Sequence, residues 1–255
     1  MLVEVHFTPH QIDELALRDK TVIVIDVLRA STSIATALYN GAKEIIPVTT
    51  VERAVRISGN LFGDYVLRGG ERNGKMIEGF NLGNSPFEYS EEKVKGKAII
   101  FSSTNGSLAI EKARFARNMA IGGFVNMSLV ARFVKELNQD FIILCAGNNG
   151  KFSLEDSVCA GMVVRTLAED GNAGLVLSDS AIAATMLFKG YHRSIVKMVK
   201  NSEHGRYLTG IGFGSDLPVC AGIDTVPVLP QWVGNVIKVK RDAEKAETSR
   251  VPVMS

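Results

Sequence analysis

Short apolar segments alternate with segments of helical periodicity along the first two thirds of the chain. The apolar segments predict strands at residues 21–25, 44–48, 65–67, 98–101, 119–121 and 141–145. Most are apolar at every position, which is typical of strands covered on both faces in a parallel sheet. Between them, apolar residues at helical spacing predict helices at residues 31–40, 51–57, 107–113, 126–137 and 153–169. This alternation predicts a layered α/β fold.

The pattern changes after about residue 175. Two consecutive helices are predicted at residues 178–189 and 191–201, followed by glycine-rich turns that include His204. Three short strands are predicted at residues 217–220, 225–229 and 235–238, as an antiparallel extension of the sheet. No linker demands a boundary, so residues 1–240 are interpreted as one domain, with residues 175–240 as a candidate sub-lobe. Residues 241–255 form a polar C-terminal tail.

Composition excludes several classes of protein. The 255 residues are 46% hydrophobic and 22% charged, as expected for a soluble globular chain, and no apolar stretch could span a membrane. A net charge of +2 gives no footprint for nucleic acid. The N-terminus lacks the pattern of a signal peptide, and three cysteines without a Cys-x-x-Cys pair favour a reducing compartment. We therefore expect a cytoplasmic protein.

Polar and glycine-rich segments follow four of the predicted strands. They occupy residues 26–33, 68–74, 102–106 and 145–150. Ligands of open α/β sheets bind outside the carboxyl ends of the strands. If these four strands are parallel, their ends converge on one cleft.

The residue types in these segments favour a small polyanion bound with Mg²⁺. Predicted helix N-termini at Ser31, Thr32, Thr104 and Asn105 offer free backbone N–H groups to an anion. Arginine can hold a phosphate or carboxylate through two parallel hydrogen bonds, and Arg29 and Arg72 are placed to do so. Carboxylates beside these arginines suggest a hard cation, because Mg²⁺ takes one or two carboxylates, waters and substrate oxygens. The candidate carboxylates are Asp26, Glu71, Glu155 and Asp156.

Each of these residues could also have a purely structural role. Serine or threonine at a helix start is usually a cap, and Asp26 can pair with Arg29. Glu155 and Asp156 can complement the dipole of the helix that they begin. Residues 69–75 also match the first seven positions of a P-loop, although Met76 replaces the serine or threonine required at the eighth. A nucleotide-binding protein therefore stays an alternative.

Taken in order, the motifs resemble those of the 2-phosphosulfolactate phosphatase family. They are IDVLRAST at 25–32, GGERNG at 69–74, GFNLGNSP at 79–86, STNG at 103–106, CAG at 145–147 and FSLED at 152–156. The resemblance runs from about residue 20 to about residue 225. It implies a three-layer α/β/α sandwich around a mixed, largely parallel sheet.

The resemblance also implies a function. Members of the family are Mg²⁺-dependent phosphatases that convert 2-phosphosulfolactate to sulfolactate, a step towards coenzyme M in methanogens. The substrate carries phosphate, sulfonate and carboxylate groups, for which Arg29, Arg72, Lys151 and Arg206 are candidate anchors, together with the helix starts at Ser31 and Thr104. Some of Asp26, Glu71, Glu155 and Asp156 would hold Mg²⁺. Catalysis would rest on Asp26, Glu71 and His204, with either direct attack by water or a covalent phosphate on Asp26.

Two further expectations complete this interpretation. A non-catalytic binder of small anions stays open as a second alternative to the phosphatase. A homodimer is the default expectation for an enzyme of this size.

Overall fold

The computed structural model describes residues 1–10, 12–60, 65–169 and 174–240, so the predicted C-terminal tail at 241–255 lies outside the described residues. The strands are β1 Leu2–His6, β2 Thr21–Ile25, β3 Glu44–Pro47, β4 Val66–Arg72, β5 Lys75–Met76, β6 Ala98–Ser102, β7 Asn118–Gly122, β8 Phe141–Cys145, β9 Val176–Leu177, β10 Pro230–Val233 and β11 Val236–Val239. The helices are α1 Ala30–Tyr39, α2 Val51–Asn60, α3 Glu91–Val94, α4 Gly106–Lys112, α5 Met127–Leu137, α6 Leu154–Glu169, α7 Asp179–Tyr191, α8 Ile195–Asn201, α9 Glu203–Gly210 and α10 Asp216–Cys220.

The described strands form a sheet in the order β5-β4-β6-β3-β11-β10-β7-β2-β8-β1-β9. Two groups of parallel strands make up most of it: β4, β6 and β3 on one side, and β7, β2, β8, β1 and β9 on the other. The antiparallel hairpin β10–β11 lies between the groups, and β5 pairs antiparallel to β4 at one edge. The prediction of a mixed, largely parallel sheet is confirmed.

Strand β2 shows why the fold has three layers. All five of its residues are buried, and alternate side chains point to opposite faces of a sheet. Ile23 and Ile25 pack into a core with residues of α5, α6 and α7, whereas Val22 and Val24 pack into a second core with residues of α1 and α4. Helices therefore cover both faces of the sheet, which confirms the predicted α/β/α sandwich.

The C-terminal third departs from the sequence prediction. Residues 217–220 belong to helix α10 rather than a strand, because Leu217 and Cys220 are buried at helical spacing and Pro218 is tolerated in the first helical turn. Residues 225–229 form no strand. The predicted strand at 235–238 is found as β11, but it pairs with β10 in the interior of the sheet rather than extending an edge.

Convergence of the strand ends has a different cause from the one expected. Three successive antiparallel pairings separate the two parallel groups, so the ends of β2 and β6 are not neighbours in one parallel sheet. Instead, α1 and α4 share one core and their first residues touch. A Cβ atom on Gly106 would lie 2.7 Å from the Cβ of Ala30 and 2.6 Å from Oδ2 of Asp26. Glycine at position 106 thus lets the two helix starts, and the strand ends before them, meet.

None of the helices in the described part of the chain combines the length and apolarity needed to cross a lipid bilayer.

Candidate active site

A polar cleft of about 160 Å³ lies where these strand ends meet. Helix α9 contributes to it from the C-terminal third. The described residues that line it are Asp26, Leu28, Arg29, Glu71, Asn73, Gly74, Asn84, Thr104, Asn105, Asn148, Asn149, Glu203, His204, Tyr207 and Leu208. Six of the predicted site residues are thus brought together here: Asp26, Arg29, Glu71, Thr104, Asn105 and His204.

Asp26 follows β2 directly and is 6% exposed. Its Oδ1 accepts a long hydrogen bond of 3.4 Å from the backbone N–H of Ala30, at the start of α1. Burial raises the pKa of the carboxyl group from 3.8 to about 6, and the nearby Glu71 and Glu155 act in the same direction, while His204 opposes them. A buried carboxylate among other carboxylates is a group that gains from a bound cation.

Glu71 holds two loops together. Its Oε2 accepts a hydrogen bond of 2.8 Å from the N–H of Gly74, and its Oε1 accepts one of 2.7 Å from the N–H of Thr104. The side chain therefore ties the turn between β4 and β5 to the loop between β6 and α4. Each carboxylate oxygen keeps a second lone pair, so contact with a ligand in the cleft remains available.

Asp156 performs a similar task behind the cleft. Its Oδ1 accepts from the N–H of Val27 at 2.8 Å, and its Oδ2 accepts from the N–H of Gly147 at 3.1 Å. The side chain thereby joins the segments that follow β2 and β8. Burial and the neighbouring Asp26 and Glu155 raise the pKa of its carboxyl group well above the usual value. Asp156 is not among the described residues that line the cleft, contrary to its expected place there.

Glu155 and His204 form a pair beside the cleft, in which Glu155 is buried and His204 is partly exposed. Nδ1 of His204 lies 3.6 Å from Oε1 of Glu155, whose side chain is 2% exposed. Burial acts to raise the pKa of Glu155, but His204, together with hydrogen bonds from the backbone and Ser202, brings that pKa below its usual value. His204 lies on α9 rather than in the predicted turn, because Ser202 caps a helix there by accepting from the N–H of Gly205. His204 thus lines the cleft while its Nδ1 lies close to the carboxylate of Glu155.

Arg29 lines the cleft, yet its guanidinium group is engaged within the protein. Nη1 donates to Oδ2 of Asp216 at 2.7 Å, and Nη2 donates to the carbonyl oxygen of Gly74 at 2.6 Å. The ring of Phe213 lies 4.2 Å from the guanidinium carbon. Arg29 therefore pairs with Asp216 rather than with Asp26. Because Asp216 neutralises its charge, Arg29 is not the open anion anchor that we expected.

The other three predicted cationic anchors do not line the cleft in the described part of the chain. Arg72 donates to the carbonyl oxygens of Glu71 and Thr49 and to Oγ of Ser102. Arg206 lies on α9 and donates to the carbonyl oxygen of Asn201. Lys151 is the last residue of the turn at 148–151, where its backbone pairs with that of Asn148. Backbone carbonyl oxygens, whose positions sequence patterns do not reveal, thus accept hydrogen bonds from both arginines.

Of the small polar residues at the starts of α1 and α4, those of α4 line the cleft and those of α1 do not. Ser31 and Thr32 are buried, and Oγ of Ser31 accepts from the N–H of Asp26 at 2.9 Å, which ties the start of α1 back to the end of β2. They do not reach the described lining of the cleft. Thr104 is exposed to the cleft, and Asn105 lines it while its Oδ1 accepts from the N–H of Asn149 at 2.9 Å.

Nine lining residues were not selected from the sequence, and six of them have polar side chains: Asn73, Asn84, Asn148, Asn149, Glu203 and Tyr207. The asparagines stand in glycine-rich turns after strands, so their position there was an available signal. Glu203 and Tyr207 had none, since α9 was interpreted as a turn. Oη of Tyr207 donates to the carbonyl oxygen of Asn73 at 2.9 Å, which joins α9 to the β4–β5 turn beside the cleft.

The P-loop alternative is wrong. Residues 69–72 belong to strand β4, which pairs with β6, and Glu71 pairs with Met76 across the turn to β5. Gly70 lies so close to β6 that a Cβ atom would be 1.9 Å from the carbonyl oxygen of Ser102. A P-loop is a loop that leads into a helix, and this segment is a strand that leads into a hairpin.

No group of three or more histidine, cysteine, aspartate or glutamate side chains in the described ranges is arranged to hold a metal ion by itself. The four predicted carboxylates are thus not assembled as one cage. Asp26 and Glu71 reach the cleft, Glu155 lines an adjoining recess with His204, and Asp156 lies behind.

Comparison with known proteins agrees with the motifs. A family profile described as 2-phosphosulpholactate phosphatase matches residues 6–235. A probable 2-phosphosulfolactate phosphatase of Caldanaerobacter subterraneus is 39% identical over 242 residues, which cover 95% of this chain and 100% of that protein. Proteins of the same name from Thermotoga maritima and Clostridium acetobutylicum are 40% and 38% identical, over 87% and 93% of this chain and 92% and 100% of their own lengths.

These matches extend over nearly the whole chain and include every segment that lines the cleft. The name that the relatives share is that of a phosphoric monoester hydrolase. On both grounds, the chain belongs to the 2-phosphosulfolactate phosphatase family.

Proposed function

We propose that this protein is a Mg²⁺-dependent phosphatase that hydrolyses 2-phosphosulfolactate, or a similarly small phosphorylated hydroxy acid, to sulfolactate and phosphate. Family membership supports the reaction class. The single observation that carries the proposal is the buried Asp26 carboxylate, which opens into a small polar cleft at a helix N-terminus. A phosphoryl group in this cleft would meet both the carboxylate and a ring of amide donors.

The charge of the cleft supports the need for a cation. Among its described lining residues, Asp26, Glu71 and Glu203 are acidic, whereas the basic ones are His204 and Arg29, which Asp216 already neutralises. A substrate with phosphate, sulfonate and carboxylate groups would be repelled by such a lining. Mg²⁺ would reverse that repulsion, since it binds through one or two carboxylates and completes its shell with water and phosphate oxygens.

The donor set in the cleft fits such an ion. Asp26 would be its main protein ligand, and Glu71 a second, through the oxygen lone pairs that its backbone contacts leave open. Bound there, Mg²⁺ would offset charge on the phosphoryl oxygens during transfer. A site of this kind needs no cage of three protein ligands.

The protein's own groups would position the substrate and move its proton. The side-chain amides of Asn73, Asn84, Asn148 and Asn149 line the cleft and can donate to sulfonate and carboxylate oxygens without adding charge. His204 faces the same space and can give a proton to the leaving oxygen of sulfolactate. Oε1 of Glu155, at 3.6 Å from Nδ1, would keep that ring oriented.

Two routes for the attack remain alternatives within this proposal. Water can attack phosphorus directly, or Asp26 can form an acyl phosphate that water then hydrolyses. A single-turnover reaction in ¹⁸O-labelled water tests the covalent route. Label in an Asp26 peptide excludes direct attack, because it requires hydrolysis of an acyl phosphate at its carbonyl carbon. Label in the released phosphate alone fits both routes, since water can also attack an acyl phosphate at phosphorus.

The test of the function is a screen for phosphate release. Phosphorylated hydroxy acids, with 2-phosphosulfolactate among them, are incubated with the protein in Mg²⁺ and in EDTA. The proposal predicts release from 2-phosphosulfolactate that stops in EDTA. Thermal stabilisation by sulfolactate without any phosphate release would instead favour a binder of small anions. The expected cytoplasmic location and the link to coenzyme M stay predictions.

A further inference from the structure

Helix α7 is held closely against α6. Ala181 and Ala184 are fully buried in the core shared with α6. A Cβ atom on Gly161 of α6 would lie 2.0 Å from the carbonyl oxygen of Ala184, so the two helices approach at backbone distance. The face of α7 opposite this contact therefore has a fixed position and points away from the core.

The outward face carries an ordered stripe. Asp179, Ile182, Met186 and Lys189 are all exposed, and their spacings of three, four and three residues place them on one side of the helix. The two central side chains are large and apolar, with Ile182 48% and Met186 62% exposed. An acidic residue begins the stripe and a basic residue ends it.

The stripe is complementary to itself. In an antiparallel pair of identical helices related by a two-fold axis at the level of Ala184, Asp179 of each copy lies opposite Lys189 of the other. Ile182 likewise lies opposite Met186 in both halves of the pair. Two-fold interfaces require the same patch to match its own copy, and a stripe shaped for a different protein has no reason to be symmetric about its centre.

The dipole of α7 accounts for only part of the stripe. Asp179 and Lys189 suit that dipole, which explains the two charges but not the apolar residues between them. None of the ion pairs among the described residues uses either side chain. Val176, at the sheet edge just before α7, is 60% exposed and extends the apolar surface.

We propose that the α7 stripe is the interface of a homodimer, in which α7 of a second copy packs antiparallel against it with Asp179 facing Lys189 and Ile182 facing Met186. We assign a second copy as the partner because the order of the stripe is self-complementary. When the helix is reversed, its acidic end faces its basic end and its apolar residues face each other. Burial of Ile182 and Met186 drives the association, and the end charges fix its direction.

Sedimentation velocity over a range of protein concentrations tests the interface. The wild-type chain is expected to be a dimer at micromolar concentration. Met186→Glu places two like charges near the axis and is expected to raise the dissociation constant by about 100-fold or more. Leu15→Glu is the matched control, because Leu15 is 56% exposed on a different part of the surface and its variant should stay dimeric.

Charge exchange tests the direction of the pair. Asp179→Lys alone should weaken the dimer at both ends, and the double variant Asp179→Lys with Lys189→Asp should restore it. Circular dichroism confirms that each variant is folded, and Ile182→Glu replaces any that is not. A monomeric wild type, an undisturbed Met186→Glu dimer, or a double variant that dimerises no more tightly than Asp179→Lys alone would overturn the proposal.

Discussion

The guanidinium group of Arg29 and the carboxylate of Asp216 form an ion pair at 2.7 Å in which each side chain is only 1% exposed. The pair joins segments that are far apart in the chain, since Oδ1 of Asp216 also accepts from Oγ of Ser85 and Arg29 also donates to Gly74. Arg29, which the sequence suggests as a substrate anchor, therefore connects the segment before α1 to the β4–β5 turn and to helix α10.

Replacing Asp216 by alanine should destabilise the fold strongly. The change leaves the Arg29 charge buried without its partner, which costs about 3–5 kcal/mol of the free energy of unfolding. Urea denaturation followed by circular dichroism measures the difference. Glu91→Ala breaks the exposed pair with Lys95 and is the control, for which the midpoint should hardly move. Equal small effects in both variants would show that the buried pair is not a structural tie.

Gly106→Ala should impair both catalysis and stability. The new methyl group would lie 2.6 Å from Oδ2 of Asp26, which can rotate away, and 2.7 Å from the Cβ of Ala30, which cannot. The starts of α1 and α4 would therefore have to move apart. A displaced Asp26 is expected to lower kcat/KM for phosphate release by about 10- to 100-fold. Gly59→Ala adds a methyl group where nothing lies within 4 Å, and it should leave activity unchanged. Unchanged turnover in Gly106→Ala would contradict the assigned position of Asp26.

Glu71→Gln separates a structural role from a purely metal-binding one. The amide can accept only one of the two backbone hydrogen bonds that the carboxylate accepts from Gly74 and Thr104. An unsatisfied buried N–H costs about 1–3 kcal/mol, so the free energy of unfolding should fall by that amount even in EDTA. Phosphate release should also fall, because the two loops beside the cleft are no longer tied. Unaltered stability in EDTA would mean that these contacts do not support the fold.

The three cysteines should be inert in the native protein. Cys145, Cys159 and Cys220 are free and buried, and burial raises the pKa of the Cys220 thiol to about 12. Because the thiolate is the reactive form, iodoacetamide at mildly alkaline pH should label none of them until urea unfolds the chain. Mass spectrometry counts the labels. Rapid labelling of any cysteine without urea would contradict the described packing.

The sequence predicts best where one local signal decides the structure. Four apolar residues, Val22 to Ile25, precede Asp26 and predict a strand buried on both faces. Gly41, with a φ of 87°, follows the C-cap of α1, where glycine is a typical helix terminator. The carboxylate of Asp26 is therefore placed in the cleft by its position after β2. The family motifs add the segments at residues 69–86 and 103–106.

Long-range partners decide what the sequence does not predict. Arginine is the residue type expected of a phosphate anchor. Here, however, Arg29 donates to Asp216 and Arg206 donates to the carbonyl oxygen of Asn201. The place of β10–β11 in the sheet depends on contacts with β3 and β7, which are distant in the chain. Helix α9 is short, and only its Ser202 cap and its packing on the cleft distinguish it from a turn.

Asp26 is the residue on which the proposed function depends most directly. The decisive measurement is phosphate release from 2-phosphosulfolactate by wild type and Asp26→Asn, each in Mg²⁺ and in EDTA, with thermal unfolding as the check on folding. We expect Mg²⁺-dependent release by the wild type and a loss of about 100- to 10,000-fold in a folded Asp26→Asn variant. Turnover at the wild-type rate in Asp26→Asn, or turnover by the wild type that EDTA leaves unchanged, would contradict this expectation.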